Sequence, residues 1–228
     1  MIDIKGVTKK YPNGVTALSS VDVTIKQGEF VYIVGPSGAG KSTFIKLIYR
    51  EEKPTSGTVM VGGINTATLK QRSVPALRRR VGVVFQDFKL LPLLTVYENV
   101  AFALEVIEEE PAVIRKRVME VLDLVGLKHK ARMLPTELSG GEQQRIAIAR
   151  SIVNNPKVVI ADEPTGNLDP DTSWDIMRLF EAINERGTTI VMATHNKDIV
   201  NTLRRRVIAI ENGRIARDEQ RGDYGYEA

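Results

Sequence analysis

Eight consecutive residues, Gly35-Pro36-Ser37-Gly38-Ala39-Gly40-Lys41-Ser42, fit the pattern G-x-x-x-x-G-K-[ST] that wraps backbone around a phosphate. The glycines let successive N–H groups turn inward, and a helix start behind them adds positive potential. In that pattern Lys41 reaches the β- and γ-phosphates, and the Ser42 hydroxyl ligates Mg²⁺. Further along, the apolar run Val158-Val159-Ile160-Ala161 ends in Asp162-Glu163. Carboxylates at the end of a buried strand stand at the carboxyl edge of a parallel sheet, where α/β proteins bind ligands. There Asp162 is placed to hold the magnesium, directly or through water. Glu163 is placed to orient and deprotonate an attacking water, a role worth roughly 10²–10⁴-fold in rate. Between the two motifs sits Leu138-Ser139-Gly140-Gly141-Glu142-Gln143-Gln144-Arg145. Ser139, Gly140 and Gly141 offer a hydroxyl and amides at a helix start, a second surface for an anion. A glycine-rich turn, an acid-capped strand end and a helix-initiating Gly-Gly would each explain one motif. None of them explains all three in this order.

These groups need elements to hold them. The run Phe30 to Val34 reads as a buried strand leading into the phosphate loop, with a helix from Ser42 to Arg50 behind it. Before it, Val21, Val23 and Ile25 alternate with polar residues up to a turn at Gln27-Gly28, and Thr58 to Val61 reads as a strand closed by Gly62-Gly63. From Pro111 the apolar residues Ile114, Val118, Val121, Leu122 and Val125 fall at helical spacing, with Gly126 as the stop. A second helix is expected from about Gly141 through Ile152. Strand signals return at Val158 to Ala161, Thr188 to Thr194 and Val207 to Ile210, the last followed by the hairpin turn Asn212-Gly213. The pattern predicts an α/β core interrupted by a helical insert at roughly residues 95–150. The tail from about Arg221, without aliphatic periodicity, is expected to be loose.

Composition sets the outer bounds. With 228 residues, 43% hydrophobic and 26% charged, the chain is in the globular range and predicts one compact domain. There is no cysteine, which removes disulfides and thiolate sites. No apolar run approaches the roughly 20 residues of a bilayer span, and Met1 to Lys5 does not resemble a secretory leader. A soluble, cytosolic chain is the expectation. The net charge of +4 is too small to argue for nucleic acid. Arg78-Arg79-Arg80 and Arg204-Arg205-Arg206 are short and flanked by structured segments, so solvated faces, or contacts to a partner or anionic lipid head groups, are favoured over nucleic acid. Asn196-Lys197-Asp198 lacks the spacer of a guanine-binding motif, and Leu90, Leu91, Leu93 and Leu94 read by default as core.

With the signature beside the phosphate loop and the acidic pair, the sequence resembles the ATP-binding-cassette (ABC) ATPases. Their signature is LSGGQ, and this chain has the variant Glu142 at the last position. The resemblance implies a P-loop NTPase (RecA-like) core with an N-terminal antiparallel β subdomain and an inserted α-helical signature subdomain, all in one domain over residues 2–228. It implies ATP and Mg²⁺, and a head-to-tail homodimer in which each ATP is held by the phosphate loop through Thr43 of one chain and by Ser139, Gly140 and Gly141 of the other. Residue by residue, Gln86 resembles the glutamine that touches Mg²⁺ and water and senses a membrane partner. Asp169, in Asn167-Leu168-Asp169, resembles the loop crossing the dimer interface. His195 resembles the histidine that hydrogen-bonds the γ-phosphate, and Tyr11 the aromatic that stacks on adenine. In the family, the Leu90 to Leu94 region lies at the groove receiving the membrane subunit.

Within that family the stretches Tyr32 to Thr43, Val83 to Leu91, Thr95 to Val106 and Asp162 to Pro170 most resemble its cell-division branch. That branch implies a peripheral subunit on the cytoplasmic side of the cell membrane. Its partner there is a polytopic membrane protein (FtsX-like), through which it acts indirectly on peptidoglycan hydrolases. The alternative is the ATPase of a lipoprotein-release or macrolide or antimicrobial-peptide exporter. Soluble relatives of DNA repair or translation carry long coiled coils or two cassettes in one chain, and this chain has neither.

Overall fold

Strands whose side chains are apolar on both faces must be covered on both faces, and here that requirement builds two cores. A computed structural model describes residues 1–225; the last three residues of the expected domain, 226–228, lie outside the described residues. Strand β3 (Phe30–Val34) is buried throughout. Phe30, Tyr32 and Val34 enter one core, and Val31 and Ile33 enter the other.

The N-terminal part forms a four-stranded antiparallel sheet from β1 (Ile2–Lys10), β2 (Thr16–Ile25), β4 (Ser56–Val61) and β5 (Ile64–Asn65), in the order β2-β1-β4-β5. The second sheet has the order β10-β9-β3-β8-β7-β6, from β6 (Val81–Val84), β7 (Val158–Asp162), β8 (Thr189–Ala193), β9 (Arg206–Glu211) and β10 (Arg214–Glu219). Its strands are parallel except for the edge strand β10, which returns through the turn at Asn212 and Gly213. The register sets Asp162 level with Ala193, so the residues after β7 and β8 emerge side by side.

Helix α1 (Lys41–Ile48) buries Phe44, Ile45, Leu47 and Ile48 in the core shared by the two sheets. It stops two residues short of the expected Arg50, where the backbone turns to φ +61°. The short α2 (Val74–Arg78) leads into β6. Helices α3 (Val96–Glu105), α4 (Pro111–Leu124) and α5 (Gly140–Ile152) then pack on one another, with Ile114, Val118 and Leu122 of α4 buried. Helix α6 (Pro170–Glu185) covers the same face of the sheet, and α7 (Lys197–Leu203) connects β8 to β9.

Two expectations are corrected. The stretch from Arg221 to Gly225 is held, not loose. The Tyr224 side chain is buried, its amide donates to Asn201 Oδ1 at 2.7 Å, and Arg217 Nη2 donates to its carbonyl at 3.0 Å. One aromatic and one arginine do what aliphatic periodicity would have advertised. Nor is Arg206 on a solvated face. It is buried between Glu29 and Asp218, each 2.7 Å from its guanidinium.

Candidate functional site

The phosphate loop joins β3 to α1 at the centre of the parallel sheet. Gly38 and Gly40 sit at φ +77° and +110°, a region costly for residues with a Cβ. A side chain at Gly40 would also run into the Ala17 carbonyl, whereas one at Gly38 would meet nothing within 4 Å. The loop is therefore packed against the antiparallel sheet on one side and open on the other. Thr95, Ser139, Asp169 and Asn196 cap α3, α5, α6 and α7 with side-chain hydrogen bonds, but no side chain caps α1. Its first amides remain for an anion. Lys41 Nζ folds back onto the Gly35 and Pro36 carbonyls at 2.7 and 3.1 Å. Those two bonds keep the ammonium at the mouth of the loop.

Asp162, at the end of β7, stands beside the Ser42 side chain. Burial, and then the neighbouring Glu163 charge, push its carboxyl above the usual aspartate range, against the pull of Ser42, Lys46 and Lys41. A carboxylate so placed gains from a cation. Asp162 also lines a cleft of about 710 Å³ with Gln86, Asn167 and Lys46. The Asp162 carboxylate and the Gln86 side-chain oxygen are donors of the kind that suits Mg²⁺.

Glu163 takes φ +50°, unusual for a residue with a side chain, and its amide donates to the Ala193 carbonyl at 2.9 Å. This brings its carboxylate to His195, with Nδ1 at 2.8 Å and the His195 amide at 3.1 Å from the same oxygen. Gln86 is exposed at the end of β6. Its carbonyl accepts from Asn167 Nδ2 at 3.3 Å, and its side-chain amide lies against Gly166. Tyr11 stands beside the loop with its hydroxyl 3.2 Å from Thr43 Oγ1 and the Lys9 ammonium 4.8 Å from its ring centre.

Ser139, Gly140 and Gly141 stand elsewhere. The Ser139 hydroxyl accepts from the Glu142 amide at 3.3 Å, and Glu142 in turn pairs with Lys130 at 2.5 Å. Gly140 lies near Leu168 and Phe88, in the loops after β7 and β6. Strands β8 and β7 separate β3 from β6, so about 14 Å of sheet lies between the phosphate loop and the edge that α5 covers. No hydrogen bond or ion pair joins the signature to residues 35–43 among the described residues. Asp169 is occupied as the N-cap of α6, accepting from the Thr172 amide at 2.9 Å.

Sequence reasoning missed two tethers from α5. Gln144, fully buried, donates to the Pro164 carbonyl at 2.6 Å, just past Glu163. Arg150 donates to the Lys89 and Phe88 carbonyls at 2.7 and 2.9 Å, and both those residues have positive φ. A polar side chain on an apolar helix face was the available signal. Its partners are backbone groups, which no side-chain pattern reveals.

The chain matches the family model described as "ABC transporter" over residues 18–166. It is 71% identical over 225 residues to the cell division ATP-binding protein FtsE of Bacillus subtilis, covering 99% of both chains. It is 46% identical to the Escherichia coli protein of the same name, over 94% of this chain and 97% of that one. Among solved structures it resembles a dimeric post-hydrolysis state of an ATP-binding cassette bound to ADP and Pi, with TM-score 0.86 and 41% identity over 97% of this chain and 99% of that one.

Proposed function

The chain belongs to the ABC transporter family and is an ATPase of that kind, and from this premise we propose how it works and where. It binds ATP as a homodimer, each nucleotide sandwiched between the phosphate loop of one chain and the signature of the other, and passes the closing motion to a membrane partner during cell division. The observation that carries this reading is the separation of Ser139, Gly140 and Gly141 from the chain's own phosphate loop by the width of two strands. A second copy turned head to tail gives that anion-binding surface a phosphate to cap.

In this reading Gly35 to Thr43 wraps the phosphates and Tyr11 stacks on the base. Lys41 leaves the carbonyls it now bonds and turns to the β/γ-phosphates. Ser42, Asp162 and Gln86 would hold Mg²⁺, which supplies charge neutralisation of the phosphates when bound. Glu163 accepts the proton of the attacking water. His195, already 2.8 Å from Glu163, orients that carboxylate until the γ-phosphate offers its imidazole a second partner. Asp169 faces the other subunit at the interface. The partner is a polytopic membrane protein, FtsX-like by the kinship with FtsE, through which peptidoglycan hydrolases are reached. No helix among the described residues is long and apolar enough to cross a membrane, so attachment at the cytoplasmic face rests on that partner.

Glu163→Gln tests the reading directly. The amide keeps the shape of the carboxylate but cannot take the water's proton, so hydrolysis should fall by roughly 10²-fold or more while binding persists. The variant should run as an Mg-ATP-dependent dimer in size-exclusion chromatography with light scattering, and adding Ser139→Arg should return it to monomer. Undiminished hydrolysis would remove Glu163 as the base. A dimer indifferent to Ser139→Arg would remove the sandwich.

A further inference from the structure

At the opposite end of the parallel strands from the phosphate loop lies a cleft of about 830 Å³, within the size range of ligand sites. It opens where β6 and β7 begin, beside the start of β1. Lys5, Arg79, Arg80 and Lys157 bring four cations to it, and Asp3 is its one carboxylate. Asp3 is already spoken for: Lys5 stands 3.0 Å away and Thr24 Oγ1 donates to it at 2.9 Å, which holds its carboxyl below the ordinary range. The side chains of Arg79, Arg80 and Lys157 make no hydrogen bond or ion pair among the described residues. Three unneutralised cations around one hollow ask for an anion.

We propose that this cleft is a second anion site, distinct from the ATP site, that takes a phosphate-bearing ligand through Arg79, Arg80 and Lys157. Arginine forks favour phosphate oxygens over a simple point charge. Lys157 is five residues from Asp162 along β7, about 17 Å, so the two sites cannot share one ligand. The phosphate can come from a soluble phosphorylated molecule or from a lipid head group.

Calorimetry with inorganic pyrophosphate, with the phosphate loop pre-filled by excess Mg-ADP, tests the soluble source. Flotation with phosphatidylcholine vesicles containing phosphatidylglycerol tests the lipid source. The full chain should bind at least one of the two. Arg79→Glu and Lys157→Glu, both at exposed positions, should each weaken that binding at least tenfold with ADP affinity and thermal melting unchanged. Pyrophosphate heat lost in the variants assigns a soluble ligand, and vesicle capture lost without any pyrophosphate heat assigns the head group. Binding of neither probe, or binding that both variants retain, overturns the site.

Discussion

In the proposed site, Lys41 would be ready for its ligand before the ligand arrives. Its ammonium is held by two loop carbonyls, so the charge is partly satisfied but not neutralised. Phosphate oxygens carry full charge and make the stronger partner. Lys41→Ala should therefore lower ATP affinity by well over tenfold in a fluorescent-nucleotide titration; unchanged affinity would deny it the role. Glu163 and His195 form the other prearranged pair. The positive φ of Glu163 turns its carboxylate to the end of β8, a conformation that costs about 1 kcal/mol or more and is kept by the bond to the Ala193 carbonyl.

At the scale of elements, α5 is the member with most at stake. It carries the signature at its start, ties to the Glu163 loop through Gln144, and ties to the loop after Gln86 through Arg150. Its contact with the sheet is so close that a Cβ at Gly82 would collide with the Ser151 carbonyl. Gly82→Ala must push helix from strand and should destabilise the protein by about 1–3 kcal/mol, read as a lower denaturation midpoint. An unchanged midpoint would show that the helix has room to move. The start of α5 predicts a pH effect. Hydrogen bonds from Lys130 and Ser139 hold the Glu142 carboxyl below the usual glutamate range. A depressed folded-state pKa contributes stability that is present above the unfolded value and is lost as pH falls through the folded one. Glu142→Gln should thus cost about 0.5–1 kcal/mol at pH 7 and almost nothing near pH 3. Equal losses at the two values would mean that charge plays no part there.

At the scale of the whole molecule, most of the exposed large apolar side chains belong to the helical segment. Leu93, just before α3, is 89% exposed, and Phe102 in α3 and Val106 at its C-cap are 44% and 59% exposed. Leu90 packs on the core, and Asn99 receives the Leu91 amide and donates to its carbonyl. The leucine cluster thus divides into Leu90, partly buried against the core, and Leu93, which projects. Leu93→Asp and Phe102→Asp should release the protein from its membrane partner in cells, giving the division defect of a deletion. Hydrolysis by the isolated chain should stay within about twofold. Membrane recovery equal to wild type would move the contact elsewhere, with crosslinks at Arg204 and Arg205 as the first place to look.

The sequence by itself determined the local chemistry. The phosphate loop, the acidic pair and the capped start of α5 are each set by residues within a few positions of one another, so motif and structure coincide. The apolar runs of β3, β7 and β8, the alternation in β2 and the helical spacing in α4 were legible for the same reason, since each is a local property of the chain. Only the tertiary structure decided which of these pieces meet. That Asp162 reaches Ser42, that Glu163 faces His195, and that the signature stands too far from its own phosphate loop all follow from the strand order β3-β8-β7-β6 and its register. The burial of Arg206, the anchoring of Tyr224 and the tethers of Gln144 and Arg150 were also hidden. They depend on partners up to 182 positions away, or on backbone carbonyls that every residue has. Long-range pairing of this kind is specified by how the sheets pack, and no spacing along the chain encodes it.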